Sequence, residues 1–184
     1  QRTSLTSRQL DYASKTEGAA RSLLGLLNDI LDFSKVEAGK MTLELQPFCV
    51  DELLRNLSVI LSANSASQEV ELLFDIDPAL PRRLIGDAMR LQQVLLNLVS
   101  NAIKFTAHGE VVLSIEVLAH DAQGVRLQVA VRDTGIGIAP ENQARIFSGF
   151  TQAEASTTRR FGGSGLGVAI SQRLVAMMGG EIAL

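Results

Sequence analysis

One cysteine, Cys49, is all that the 184 residues contain, and a lone thiol excludes an internal disulfide framework while fitting a reducing compartment. No apolar run reaches the roughly 18–20 residues a helix needs to cross a bilayer. The opening residues, QRTSLTSRQ, have no signal-peptide core. The chain therefore reads as a soluble, cytoplasmic piece, one that could be the cytoplasmic part of a membrane-anchored parent. A basic patch is missing as well: 17 Lys and Arg are scattered among 20 Asp and Glu, for a net charge of −3, so no nucleic-acid-binding surface is expected. Internal repeats and low-complexity segments are absent.

Proline is scarce too, with four in the chain and none before Pro47. From Ser7 to Ala38, Leu10, Ala13, Ala20, Leu23, Leu24, Leu27, Ile30, Leu31 and Ser34 form a stripe of about 3.5-residue period, which predicts one long helix packed in a bundle. Gly39 ends it, since glycine accepts the left-handed C-terminal position at little cost. A domain boundary near residue 40 follows. Beyond it the pattern predicts a strand at Thr42–Gln46, a helix from Glu52 to Ala63 capped by Asp51 with Leu53, Leu54, Leu57 and Ile60 inward, and strands at Glu69–Asp75 and Leu84–Gly86. A helix capped by Asp87 then runs to Phe105, with Leu91, Val94, Leu95, Leu98, Ala102 and Phe105 as its core stripe. Two alternating segments, 111–117 and 125–131, predict a hairpin around DAQG. A short helix, QARIF, and a last helix from Leu166 to Met178 complete an α+β order, expected as one sheet covered on one face by helices.

Three places could carry chemistry. On the 87–105 helix, Asn97, Asn101 and Lys104 stand at i, i+4 and i+7, off the core stripe. An amide oxygen suits Mg²⁺, which takes few protein ligands beside phosphate and water, and a lysine supplies a point charge for phosphate; a plain solvated face fits the same spacing. In VRDTGIGI, Asp133 ends an apolar strand where a buried carboxylate is costly unless it finds a donor such as an adenine amino group. Gly135 and Gly137 let backbone approach a flat ligand, although D-x-G-x-G also fits a strand-ending turn. FGGSGLG, residues 161–167, runs into a helix whose first amides could receive phosphate; it is neither a Walker A loop nor a Rossmann fingerprint.

In this order, Asn97, Asn101 and Lys104, then Asp133, Gly135 and Gly137, then Gly163, Ser164, Gly165 and Gly167, the chain resembles the catalytic ATP-binding domain of sensor histidine kinases. That fold is shared with gyrase B subunits, heat-shock chaperone ATPases and mismatch-repair ATPases. The stretches LLNDILDFSKVEAGKM (26–41) and FTQAEASTTRRFGGSGLGVAIS (150–171) resemble the hybrid kinases of bacterial two-component systems. The resemblance implies a two-layer α/β sandwich over 41–184, preceded at 1–40 by the second helix of a dimerisation and histidine-phosphotransfer hairpin. It implies ATP and Mg²⁺ as ligands, with Asn101 on the metal and Asn97 and Lys104 on the metal shell and phosphates. Asp133 would take the adenine amino group, in a pocket shaped by Gly135 and Gly137. Phe147 and Phe150 match an aromatic box, and residues 148–163 match a mobile lid carrying Arg159 and Arg160 toward phosphate. Gly163, Ser164, Gly165, Leu166 and Gly167 match a second glycine box.

The resemblance further implies transfer of the γ-phosphoryl group to a histidine on the other hairpin helix, homodimerisation of the longer protein, and relay to an aspartate on a response-regulator receiver domain. Neither histidine here suits the acceptor role, because His108 follows the Asn helix and His120 lies in the hairpin loop. The acceptor helix and the final strands of the domain are expected outside this sequence, and Ser148 stands where relatives often carry Glu. Two other readings stay open: a gated ATPase clamp of the same fold, and a non-catalytic dimerisation or scaffold module.

Overall fold

The computed structural model describes residues 5–65, 69–122, 124–143, 146 and 165–184. They divide into two compact units, up to Met41 and from Thr42 onward.

The first unit is a single helix, α1 (Ser7–Glu37). Thr6 and Gln9 close a reciprocal cap at its start, satisfying two of the backbone donors a helix leaves orphaned. Asp11–Lys15 and Glu17–Arg21 add exposed i, i+4 pairs that contribute a few tenths of a kcal/mol each. Gly39 stops the helix at φ +63°, and the Lys40 N–H returns to the Lys35 carbonyl at 2.9 Å. The stripe read from the sequence stands exposed: Leu23 is 58%, Leu24 60%, Leu27 48%, Ile30 49% and Leu31 55% accessible.

The second unit begins with β1 (Gln46–Cys49) and α2 (Val50–Ser65), then β2 (Glu69–Ile76), β3 (Arg83–Gly86) and α3 (Ala88–Phe105). Next come β4 (His108–Asp121) and β5 (Gly124–Asp133), α4 (Pro140–Gln143) and α5 (Gly167–Met177). The α+β order holds, but the strands of the described residues form two sheets where one was expected. β1 and β3 make an antiparallel ribbon, while β2, β4 and β5 form a mixed sheet in which β2 and β4 run parallel and β4 and β5 antiparallel.

The first strand also falls later than the expected 42–46. It includes Pro47, paired with Ile85, a place proline tolerates because a two-stranded ribbon is all edge and its missing N–H can face away from the partner. α2 starts at Val50, so Asp51 lies in its first turn instead of capping it. The described part of the 140s helix begins at Pro140, the first helical position proline prefers; residues 144, 145 and 147 of QARIF lie outside the description.

The core forms where α2 and α3 lie on the mixed sheet: Leu53, Leu57 and Leu61 meet Leu95, Val99, Ala102 and Ile103, over Val111 and Leu113 of β4. Two stripe assignments shift by one residue. Leu61 is fully buried where Ile60, 41% accessible, was expected, and on α3 Val99 and Ile103 are buried while Leu98 and Phe105 are only partly covered. A helix advances 100° per residue, so a broad apolar face leaves its centre unfixed by sequence alone. β2 follows strict alternation, with Val70, Leu72, Phe74 and Ile76 turned inward, as one covered face requires.

Candidate nucleotide-binding site

α3 carries the amides. Asp87 caps it, its Oδ1 accepting from the Arg90 N–H at 3.0 Å, and about three and four turns later the helix presents Asn97 and Asn101 together. The Asn101 amide donates to Asn97 Oδ1 in a long bond of 3.5 Å. Asn97 in turn donates through Nδ2 to the hydroxyl of Ser171 on α5, at 2.8 Å. Gly167, the first residue of α5, lies so close to the Asn97 amide that a Cβ there would collide with it. Lys104 follows one turn on, its ammonium 5.1 Å from the centre of the Phe105 ring. Desolvation holds its pKa below the ordinary lysine value, since partial burial penalises the charged form.

The aspartate loop docks on the end of the same helix. The Ile136 N–H donates to the Phe105 carbonyl at 3.3 Å. A Cβ at Gly135 would stand 2.5 Å from that carbonyl oxygen and 2.9 Å from Asp133 Oδ1, so only glycine brings the loop this near. Thr134 anchors the turn from the other side: its hydroxyl accepts from the Glu110 N–H at 3.0 Å and its N–H reaches the Glu110 carbonyl at 3.2 Å. Asp133 is exposed, not buried as the strand pattern suggested. Its Oδ1 accepts from the Gly135 N–H at 2.9 Å, and among the described residues no bond occupies Oδ2. Gly137 and Gly165 take φ of +67° and +68°.

Of the residues singled out from sequence, Asn97, Asn101 and Gly167 are thus in mutual contact or adjacent, and Asp133, Gly135 and Gly137 form one loop at the C-terminal end of α3. Gly165 and the buried Leu166 lead into α5, which no side chain caps. Phe147, Phe150, Arg159, Arg160, Gly163 and Ser164 lie outside the described residues, as does the rest of the segment 148–163 that was expected to match a lid. Sequence reasoning missed Ser171 and Thr134. Nothing local marks either: Ser171 meets Asn97 across 74 positions, and Thr134 fills an unspecified position of D-x-G-x-G.

The donor set fits a Mg-nucleotide. Asn101 Oδ1 accepts no hydrogen bond among the described residues, and a neutral amide oxygen is a ligand Mg²⁺ takes alongside phosphate and water. Among these residues no group of three or more His, Cys, Asp or Glu is gathered, so an ion here would take most of its oxygens from the nucleotide. Two grooves among the described residues, of about 210 and 400 Å³, lie elsewhere, around Asp77–Arg82 and between β1, α2 and the start of α3.

An amide-bearing helix, a glycine-turned aspartate loop docked on its end, and a glycine-led helix packed against its amides define a nucleotide-binding α+β domain. The chain belongs to the histidine kinase-, DNA gyrase B- and HSP90-like ATPase family, whose model matches residues 86–184. It is 45% identical over 181 residues, 98% of its length, to the signal transduction histidine-protein kinase BarA of Escherichia coli. It is also 44% identical over 182 residues, 99% of its length, to the sensor histidine kinase GacS of Pseudomonas protegens. In each case it spans 20% of the relative. Among solved structures, full-length ShkA in complex with AMPPNP superimposes with TM-score 0.77 at 36% identity, covering 96% of this chain and 35% of that one. The catalytic domain of histidine kinase ThkA matches with TM-score 0.58 at 27% identity, over 72% of this chain and 80% of that one. Among the described residues no helix is long and apolar enough to cross a membrane.

Proposed function

We propose that this chain is the ATP-binding, catalytic portion of a hybrid sensor histidine kinase, which positions the γ-phosphoryl group of ATP for transfer to a histidine on a partner helix. The observation that carries the reading is the docking of the Asp133–Gly137 loop on the Phe105 carbonyl, one turn beyond Asn101. This docking supports a reading in which a carboxylate for an adenine amino group stands beside the C-terminal end of the helix whose amide faces the phosphates. The likeness to BarA and GacS over nearly all of this chain, and the AMPPNP in the ShkA complex, support an adenine nucleotide as the ligand here.

Asp133 would hold the adenine amino group through Oδ2, with Gly135 and Gly137 shaping the pocket wall. Asn101 would hold Mg²⁺ through Oδ1, where the ion neutralises charge on the phosphates; Asn97 borders this shell, and Lys104 adds its ammonium to the phosphate oxygens. Phe147 and Phe150 would border the pocket, Arg159 and Arg160 would reach the phosphates, and the amides from Gly163 through Gly167 would receive them. Phosphoryl transfer asks little covalent chemistry of the protein. These residues therefore act by holding and orienting the nucleotide, with the γ-phosphate left open to the incoming imidazole.

The exposed leucine stripe of α1 supports a role in a helical bundle, in which residues 1–40 are half of a phosphotransfer hairpin and the longer protein is a homodimer. Onward transfer to a receiver-domain aspartate, and a cytoplasmic location, belong to the same reading. Calorimetric titration of ATP with Mg²⁺ into this chain tests it. Micromolar-range binding that disappears in Asp133→Asn is expected; equal binding by the variant overturns the adenine assignment. In the longer kinase, Asn101→Asp should abolish Mg-ATP-dependent phosphorylation.

A further inference from the structure

The β4–β5 ladder ends at the pair Val111 and Asp133. One step beyond, Glu110 stands opposite Thr134, and an antiparallel pair in that position ordinarily exchanges two backbone bonds. One of them is made, from the Thr134 N–H to the Glu110 carbonyl at 3.2 Å. The other would run from the Glu110 N–H to the Thr134 carbonyl, yet this N–H goes to the Thr134 hydroxyl instead, at 3.0 Å. The hydroxyl turns its own proton to the Glu110 carbonyl at 3.3 Å. Both partners are backbone groups of fixed polarity, since an N–H only donates and a carbonyl only accepts, so the direction of each bond is settled. A side chain has taken the place of the ladder's last carbonyl.

The displaced carbonyl shares one rigid, planar peptide unit with the Gly135 N–H. Were the Thr134 carbonyl turned to Glu110, the Gly135 N–H would swing with it, away from the Asp133 Oδ1 that it meets at 2.9 Å. We infer that Thr134 is a positioning residue for the adenine carboxylate: by occupying the Glu110 N–H, its hydroxyl keeps the 134–135 peptide out of the ladder, with the Gly135 N–H on Asp133 Oδ1. Oδ2 is then left to the ligand's amino group, an inference that rests on the assignment of Asp133 proposed above.

Two further features fit this competition between hydroxyl and carbonyl. Gly109 has φ +120°, and a Cβ there would overlap the Thr134 hydroxyl, so the strand opposite leaves room for the hydroxyl and for nothing larger. Past the turn, the Ile136 N–H is held by the Phe105 carbonyl, so the peptide that the hydroxyl orients lies between two anchored points. A carboxylate with one oxygen fixed in advance has less freedom to lose when the base arrives. Without the hydroxyl, the carbonyl can complete the ladder, β5 gains a residue, and Asp133 loses the donor that sets its side chain.

The test compares calorimetric affinities of this chain for ATP and for purine ribonucleoside triphosphate, which lacks only the exocyclic amino group, both with Mg²⁺. Their ratio reads the bond between carboxylate and amino group, and should favour ATP about tenfold or more in the unmutated chain. Thr134→Val keeps the shape without the hydroxyl; it should lower the ratio about fivefold, the scale of one hydrogen bond, with the analogue's affinity unchanged. Thr134→Ser should restore the ratio. A residue that only closed the end of the sheet would lower both affinities alike, and that result overturns the proposal, as does a ratio that Thr134→Ser fails to restore. A preference for ATP that survives Thr134→Val overturns this role alone. No preference, or no binding, in the unmutated chain overturns the Asp133 assignment and this role with it.

Backbone amide NMR of the nucleotide-free chain provides the second readout. The Gly135 amide proton should move as Asp133 is titrated with acid, because the two are bonded. It should lose most of that response in Thr134→Val and keep it in Thr134→Ser; an equal response in Thr134→Val overturns the proposal. If Thr134→Val does not fold, Thr134→Ala also lacks the hydroxyl and is held to the same outcomes.

Discussion

Asp87 holds two distant backbone segments at once: Oδ1 accepts from Arg90 N–H in the first turn of α3, and Oδ2 accepts from Glu44 N–H at 3.0 Å, 43 residues earlier. The carboxylate is 5% accessible, so both bonds replace water it has lost. Asp87→Ala removes the cap and leaves the Glu44 donor partly buried without its acceptor. Loss of a helix cap costs about 1 kcal/mol, and an orphaned donor about 1–3 kcal/mol more. Urea unfolding should therefore show a loss of about 2–4 kcal/mol, while Asp87→Asn, which keeps one accepting oxygen, should lose less than half of that.

Ile60 and Leu61 provide a test of which face α2 buries. Leu61 is completely covered in the cluster with Leu57 and Val99, whereas Ile60 is 41% accessible. Leu61→Ala should cost about 2–5 kcal/mol, the transfer free energy of the lost methyl groups plus the cavity. Ile60→Ala should cost under about 1 kcal/mol. Thermal or chemical denaturation of the two variants side by side checks the order, and a larger loss for Ile60 would mean that the helix is turned the other way.

The amides of α3 were legible because helical spacing is rigid: once Asp87 and Phe105 bound the helix, Asn97 and Asn101 had to share a face. The hairpin was legible for a similar reason, since period-two alternation fixes facing in both of its strands. What the sequence withheld is long-range. The division of the strands into two sheets depends on which edges meet, and neither β1 nor β3, at four residues each, carries enough pattern to name its partner. Ser171 was hidden for the same reason, because its significance lies wholly in Asn97. Asp133 was misjudged as buried because it is the last residue of β5, where the alternation that sets facing along the strand gives way to the turn.

Gly135 should tolerate no side chain. A methyl group would sit 2.5 Å from the Phe105 carbonyl oxygen and 2.9 Å from Asp133 Oδ1, and the first contact is with backbone, which yields little. Gly135→Ala must push the loop off the end of α3, carrying Asp133 with it. ATP affinity should fall at least tenfold while the core, to which the loop contributes no residue, keeps its stability to within about 1–2 kcal/mol. Parallel calorimetry and urea unfolding separate the two effects; binding retained in full would mean that Asp133 does not fix the ligand.

Lys104 supplies the pH test. Its pKa is lowered by desolvation, and phosphate oxygens beside it would raise the value again, since an opposite charge favours the ammonium. Binding of ATP should therefore take up a proton in the window between the lowered value of the free protein and the raised value of the complex. Affinity is complete below that window and declines as pH rises through it, beginning below the ordinary lysine range. Stability moves the other way. The unfolded chain binds the proton more tightly than the folded one, so this lysine's contribution to folding improves as pH rises between the two values. ATP titrations at stepped alkaline pH should show the decline, and Lys104→Gln should remove it together with roughly 10–100-fold of affinity, the range for a bond to a charged group. Lys104→Arg keeps the charge throughout and should flatten the profile without that loss. A profile equally steep in the Gln variant would assign the titrating group to another residue.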